Sequence, residues 1–240
     1  MRTIRRSTDC HVRRTHGQHL QNWGAAPFGA LLDVTEHRFP PGRVPTPSTD
    51  DESPGRPDPD TELLTYVYEG TLAQDDSTGG SGVLRSGEFQ RLTVGRGVQH
   101  SERNASDVAW AHVFHVVLRP DQADLPHAHA EQRFSVADRR AGLRVVASAD
   151  GRNGSLVLHL GALVMAAYLD EGRHVIHPLA PSRMAWLHVV SGEGAVEGEI
   201  LCPGDGIGVR GEPAISFTAR DASEILLIEV AADVADETHG

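Results

Sequence analysis

Short runs of β-branched and aromatic residues, each closed by a glycine turn, recur along most of the chain, and little of it has the periodicity of a long amphipathic helix. ELLTYVYEGTLAQDD, Glu62 to Asp76, runs to a turn near Gly79 and Gly80. GVLRSGEFQRLTVGRGVQHSE and VAWAHVFHVVLRP follow it, the second closing on Pro120. From Leu143 a similar series begins: LRVVASAD, SLVLHLGALVMAAYL, HVIHPL, MAWLHVVSGEGAVEGEIL, GDGIGVRG, AISFTA and EILLIEV. The polar stretch PDQADLPHAHAEQRFSVADRRAG separates the two series. They match at one point, where YVYEGTLAQD answers VVSGEGAVEG, each followed by a glycine turn (LRSGEF or LCPGDG) and a further strand. The pattern predicts an all-β chain built by internal duplication of a small barrel or sandwich.

Composition narrows the partners. With 240 residues the chain has room for one large or two small cores, and an apolar fraction of 39% fits a folded protein. A formal net charge of −11 argues against a nucleic-acid surface, which needs a concentrated basic face. A small molecule or another protein is the expected partner. Every basic residue is arginine, so Schiff-base lysine chemistry is excluded. Cys10 and Cys202 stand far apart and form neither a disulfide framework nor a zinc pattern, which makes a reducing cytoplasm the expected compartment. The opening MRTIRRSTDCHVRRTHGQHL is basic without a following apolar stretch, and no segment has the roughly 18 consecutive apolar residues of a spanning helix, so no membrane is expected.

The chemistry starts from VGRGVQHSERN. His100 and Glu102 lie two apart on a strand entered through a glycine turn, so both side chains face one side and can reach one metal ion.

LLTYVYEGTLAQDDSTGGSGVLRSGEFQRLTVGRGVQHSERN resembles the first domain of the pirin family. SRMAWLHVVSGEGAVEGEILCPGDGIGV and SEILLIEV resemble the C-terminal barrel of its bacterial branch, which includes quercetin-degrading members. The resemblance runs from about Phe28 to Val230. It implies a bicupin, two cupin β-barrels of jelly-roll type packed face to face in one chain. The expected division is an N-terminal segment 1–27, a first barrel 28–120, a connector 121–142, a second barrel 143–232 and a tail 233–240. Pirins typically hold one mononuclear metal, usually iron, through a His-x-His pair before the TYVxEG strand and a His-x-Glu pair after the glycine turn. The second pair maps onto His100 and Glu102, with Asn104 completing the cupin motif. The first maps onto Arg56 and Asp58 in GRPDPDTE. No histidine lies between His37 and His100, and His37 stands too early, ahead of the PPGR turn.

A guanidinium has no lone pair to give, so Arg56 cannot bind a metal. Asp58, His100 and Glu102 could still offer one imidazole and two carboxylates, a weaker site for iron. Alternatively, the Arg56 charge replaces that of the metal by pairing with Glu102 or Asp58. The expectation is therefore a transition metal absent or weakly bound. Tyr66 and Tyr68 share one strand face, opposite Thr65 and Val67, and these two tyrosines, Phe89, Gln90 and Asn104 are pocket candidates. His112 and His115 lie three apart and face opposite sides, so at most one faces the cavity; His188 is expected in the core or rim of the second barrel. His127, His129 and Glu131 in PHAHAEQRF are expected at the surface of the connector.

Two classes of function follow. One is an enzyme: a quercetinase-like dioxygenase with His100 and Glu102 as ligands and Glu102 doubling as base, or a metal-free cyclase or isomerase run by Arg56, Asp58, His100 and Glu102. The other is a binding or regulatory protein that contacts partner enzymes or transcription regulators. The reading taken forward is a pirin-like bicupin with a lost or altered metal site, binding a small molecule or a protein partner.

Overall fold

The computed structural model describes residues 1–7, 11–15, 18–22, 27–42, 60–96 and 98–232. Strands dominate, and the α-helix among the described residues is the short Val136–Arg140, started by a reciprocal Ser135–Asp138 capping box. No helix among the described residues is long and apolar enough to cross a membrane.

The chain divides into two compact units, each a large sheet paired with a small one. The first unit comprises residues 10–25 and 32–134. Its seven-stranded sheet runs in the order Ala128–Arg133, Glu88–Thr93, Glu62–Glu69, Ala111–Leu118, Leu31–Phe39, Gln18–Asn22, His11–Thr15. The small sheet is Ser81–Arg85, Thr71–Asp76, His100–Asn104. Phe39, Val67 and Val113 from the large sheet pack with Leu72 and Leu84 from the small one, which identifies the inner face of each.

The second unit comprises residues 1–9, 26–31 and 135–240. Its seven-stranded sheet runs Arg2–Arg5, Gly206–Arg210, Arg183–Ser191, Ser223–Ala231, Leu163–Leu169, Arg144–Ser148, Leu156–Val157, opposite a sheet of His174–Pro178, Ala214–Ala219, Gly194–Val196 and Glu199–Leu201. Met165, Leu187, Ile207, Phe217 and Leu227 belong to its continuous apolar core.

Two boundaries differ from the sequence reading. Arg2–Arg5, expected in a separate leading segment, is an edge strand of the second unit, in register with Gly206–Arg210. Ala128–Arg133, expected in the connector, is an edge strand of the first unit, paired with Glu88–Thr93. Both pairings are non-local.

The repeat is carried by backbone geometry. Gly87 N–H donates to Val67 O at 2.9 Å, and Gly204 N–H donates to Val189 O at 2.8 Å, so LRSGEF and LCPGDG dock under equivalent strands. Gly70 ends the first of these strands with φ 77°, and Gly192 ends the other with φ 75°. A Cβ on Gly70 would lie 2.4 Å from Trp110 O, and one on Gly192 would lie 2.4 Å from Ala222 O. The true equivalence is thus Val67 with Val189 and Gly70 with Gly192, one residue out of step with the ungapped match of the two motifs. Gly70→Ala and Gly192→Ala combine left-handed strain with a backbone clash, and each is expected to cost at least ~2 kcal/mol in equilibrium denaturation.

Candidate functional site

Residues directly opposite one another in antiparallel strands share a sheet face, so register sorts the candidates. Phe114, Tyr66 and Phe89 are in register, and Tyr66 and Phe89 stack with centroids 4.3 Å apart. They lie on the outer face with Tyr68, which meets His112 edge-on. Tyr66 and Phe89, buried, and Tyr68, half-buried, therefore point away from the face that carries Glu102: the two-residue period showed that the tyrosines share a face, but not which one. His115, Thr65, Gln90 and Glu131 are in register on the inner face. Across from them the small sheet pairs Gln74 with Glu102 and Asp76 with His100.

Glu102 is the centre of this face. His115 Nε2 lies 3.1 Å from its Oε2, His100 Nε2 lies 3.5 Å from its Oε1, and the Gln74 amide donates to Oε1 at 3.3 Å. Burial pushes the Glu102 carboxyl up, but the His115 and His100 imidazoles outweigh burial and hold it well below the usual carboxylate range. Both imidazole contacts lack the alignment of hydrogen bonds, and the two Nε2 atoms are buried without one among the described residues.

His37, set aside from its position in the sequence, reaches this cluster: its ring lies 4.5 Å from that of His115, and its Nε2 lies 3.1 Å from Thr35 Oγ1. Of the histidines three apart, His115 faces Glu102, whereas His112 lies 2.7 Å from Glu36 on the other face. Asn104 is structural. It donates to Phe39 O at 3.0 Å and Ala109 O at 2.7 Å and accepts from Ser106 N–H. Arg56 and Asp58 lie outside the described residues.

A cleft opens between the small sheet and the strands Glu88–Thr93 and Ala128–Arg133, lined by Gln74, Asp76, Gln90, His100, His129 and Glu131. His129 and Glu131 are exposed as expected, yet both border the same cleft as His100. His127 is half-buried, its Nδ1 2.9 Å from Val94 O and its Nε2 3.3 Å from Asp76 Oδ2. His188 is buried in the second unit.

Two imidazoles and a carboxylate have the donor chemistry of a facial metal triad. Here, however, His100 and His115 face different oxygens of the carboxylate, and among the described residues no group of three His, Cys, Asp or Glu is arranged to hold a metal ion. The donor types suit a metal, but their arrangement does not.

The family described as Pirin matches residues 9–117, and the quercetinase C-terminal cupin domain matches residues 145–230. A quercetin 2,3-dioxygenase of Escherichia coli (strain K12) is 31% identical over 222 residues, 90% of this chain and 95% of that protein. The chain belongs to the pirin family. Among other pirin relatives, a putative quercetin 2,3-dioxygenase of Pseudomonas aeruginosa is 32% identical over 179 residues, 74% of this chain and 77% of that one. The crystal structure of YhhW from Escherichia coli matches with a TM-score of 0.86 at 27% identity, covering 97% of this chain and 99% of its own. Bacterial pirin YhhW in complex with nickel(II) gives 0.86 at 26% identity, covering 97% and 100%.

His37 gives this pirin a pH signature. Burial, then the neighbouring His115, pushes its pKa from 6.5 down to about 3, against the opposing pull of Glu102. The unfolded chain binds the proton near the ordinary value and the folded chain does not, so the contribution is full above that value and is lost as pH falls towards 3. His37→Gln should flatten the acid loss of stability between pH 6 and pH 4, by up to about 1.4 kcal/mol per pH unit, in urea denaturation beside the wild type.

Proposed function

We propose that this pirin is an enzyme that acts on a small hydroxylated molecule in its N-terminal barrel, with His100 as the proton-transferring group and Glu102 as the anion that orients it. The observation that carries the reading is the buried Glu102 carboxylate, contacted on one oxygen by His115 and on the other by His100 and Gln74. A carboxylate held below its usual range is a weak proton acceptor, so the base role expected for Glu102 passes to an imidazole. His100 is the imidazole of the cluster that lines the cleft. It takes the proton of an acidic phenolic or enolic hydroxyl, and Glu102 behind it stabilises the imidazolium, as the acidic member of a triad does. His115 holds the second carboxylate oxygen and keeps Glu102 from turning away. Nothing in this scheme passes through a metal.

A second reading is a dioxygenase using His100, His115 and Glu102 as an altered ligand set. It is favoured by the 31% identical relative named for that activity and by the donor types at the site. It requires the imidazoles to leave their present positions on opposite oxygens of Glu102.

Elemental analysis of protein purified without chelators, wild type and His100→Ala, separates the two readings. The expected result is far less than one transition metal per chain, with phenol binding by calorimetry at least about tenfold weaker in His100→Ala and in Glu102→Gln. Near-stoichiometric metal in the wild type, lost in His100→Ala, would overturn the metal-free scheme in favour of the dioxygenase.

A further inference from the structure

Next to the cleft, a polar contact joins the two sheets that border it. His127 immediately precedes the edge strand Ala128–Arg133 and stands one inner-face position before His129. The chain runs tight there against the turn after Glu88–Thr93, since a Cβ on Gly95 would lie 2.7 Å from His127 N. The His127 Nδ1 lies 2.9 Å from Val94 O, and its Nε2 lies 3.3 Å from Asp76 Oδ2 on the small sheet. Asp76 is fixed by its own turn. Its Oδ1 accepts from Thr78 N–H at 2.7 Å, Thr78 Oγ1 at 2.5 Å and Gly80 N–H at 3.0 Å, within the hairpin that joins Thr71–Asp76 to Ser81–Arg85. These donors, Thr78 first, hold the Asp76 carboxyl well below the usual carboxylate range against the effect of burial. Each ring nitrogen of His127 thus meets an acceptor, a carbonyl at one and a carboxylate at the other. A neutral imidazole has one N–H and one lone pair, so either tautomer sets its lone pair against an oxygen, whereas the imidazolium donates to both.

We propose that His127 is a proton-controlled clasp: its imidazolium ties the edge strand Ala128–Arg133 to the hairpin turn of the small sheet beside the cleft at His100, and its neutral ring releases that turn. The clasp is closed on the acid side and opens as pH rises. It goes beyond the proton transfer assigned to His100 and does not depend on it. The charged groups on the surrounding elements have other partners. Asp75 points to the other side of the small sheet, 3.5 Å from Arg103. Glu62 and Arg91 meet Thr93 on the outer face of the large sheet. Arg96, which follows Gly95, lies 2.6 Å from Asp124 and 3.8 Å from Asp60. Glu131 accepts from Gln90 at 3.0 Å. His100, in register with Asp76, and His129 are further imidazoles on this face, so the test keeps both and changes His127 alone.

The test is hydrogen exchange of the full chain at about pH 6 and about pH 8, corrected for intrinsic rates and referenced to Leu163–Leu169 in the second unit. In the wild type, protection of residues 76–82 is expected to fall by about fivefold or more from the acid to the alkaline sample, the scale of one partly exposed ion pair. His127→Gln has no charge to lose and should show the low value at both. His127→Arg keeps a charge and its donors and should stay protected at both. His127 is half-buried at a sheet edge, so neither variant removes a core side chain. Wild-type protection that does not change with pH would overturn the clasp. So would a fall that His127→Gln reproduces, because another group would then be titrating. Low protection of His127→Arg at both pH values would also overturn it, since ring shape rather than charge would hold the turn. None of these results bears on the chemistry at His100, which the metal and phenol measurements decide.

Discussion

Burying a carboxylate in the wall of a barrel is costly unless other groups compensate it, and the N-terminal barrel of this pirin is arranged around that cost at Glu102. Compensation comes from both sheets, with Gln74 and His100 on the small one and His115 on the large one. Each partner then constrains its neighbours. His115 beside His37 raises the cost of charging the latter, which is one reason the His37 ring stays neutral against Thr35. His100 is set opposite Asp76, whose Oδ1 is held by Thr78 and Gly80 and whose Oδ2 lies beside His127. The polar interior is a connected network anchored on one ionised group.

The second barrel shows what the same repeat does without that anchor. Its turns and strand-ending glycines are equivalent, yet its interior is closed by aliphatic and aromatic side chains. Phe217 presses its ring against Gly194, where a Cβ would lie 2.1 Å from the ring, so the space is filled by an aromatic side chain. The buried charges of this unit are paired as well, Glu229 with Arg183 and His177, each at 2.5 Å, Glu224 with Arg139, and Asp205 with Arg6. One scaffold therefore supports a mainly apolar core and a more polar one, and the difference lies in the inward positions of its strands.

What could be read from the sequence follows the range of the interactions. The duplicated barrel was legible because its markers are local: a glycine that must adopt positive φ beside a backbone oxygen leaves a trace at one position. His100 and Glu102 were legible because residues two apart on a strand share a face. His37 was not, because its approach to His115 depends on how distant strands are ordered in the sheet. Tyr66 and Tyr68 were assigned together but not to a side; that needed the register with Phe114 and Phe89. The strand Ala128–Arg133 was hidden for a related reason, since its alternating Ala, His and Glu residues resemble a polar connector until they are paired with Glu88–Thr93.

The polarity of the first barrel is not imposed by its fold. Each unsatisfied buried polar atom costs about 1–3 kcal/mol, and replacing it with an apolar group of the same shape removes that cost. The second barrel shows that this architecture accommodates such a replacement at inward positions. Thr65, Gln90, His100 and His115 nevertheless keep polar atoms without hydrogen-bond partners on the inner face. A network that served only to fold the chain would be cheaper without them. Under the small-molecule reading proposed above, that cost is offset when a bound hydroxylated ligand reaches them from the cleft lined by Gln90, His100 and Glu131.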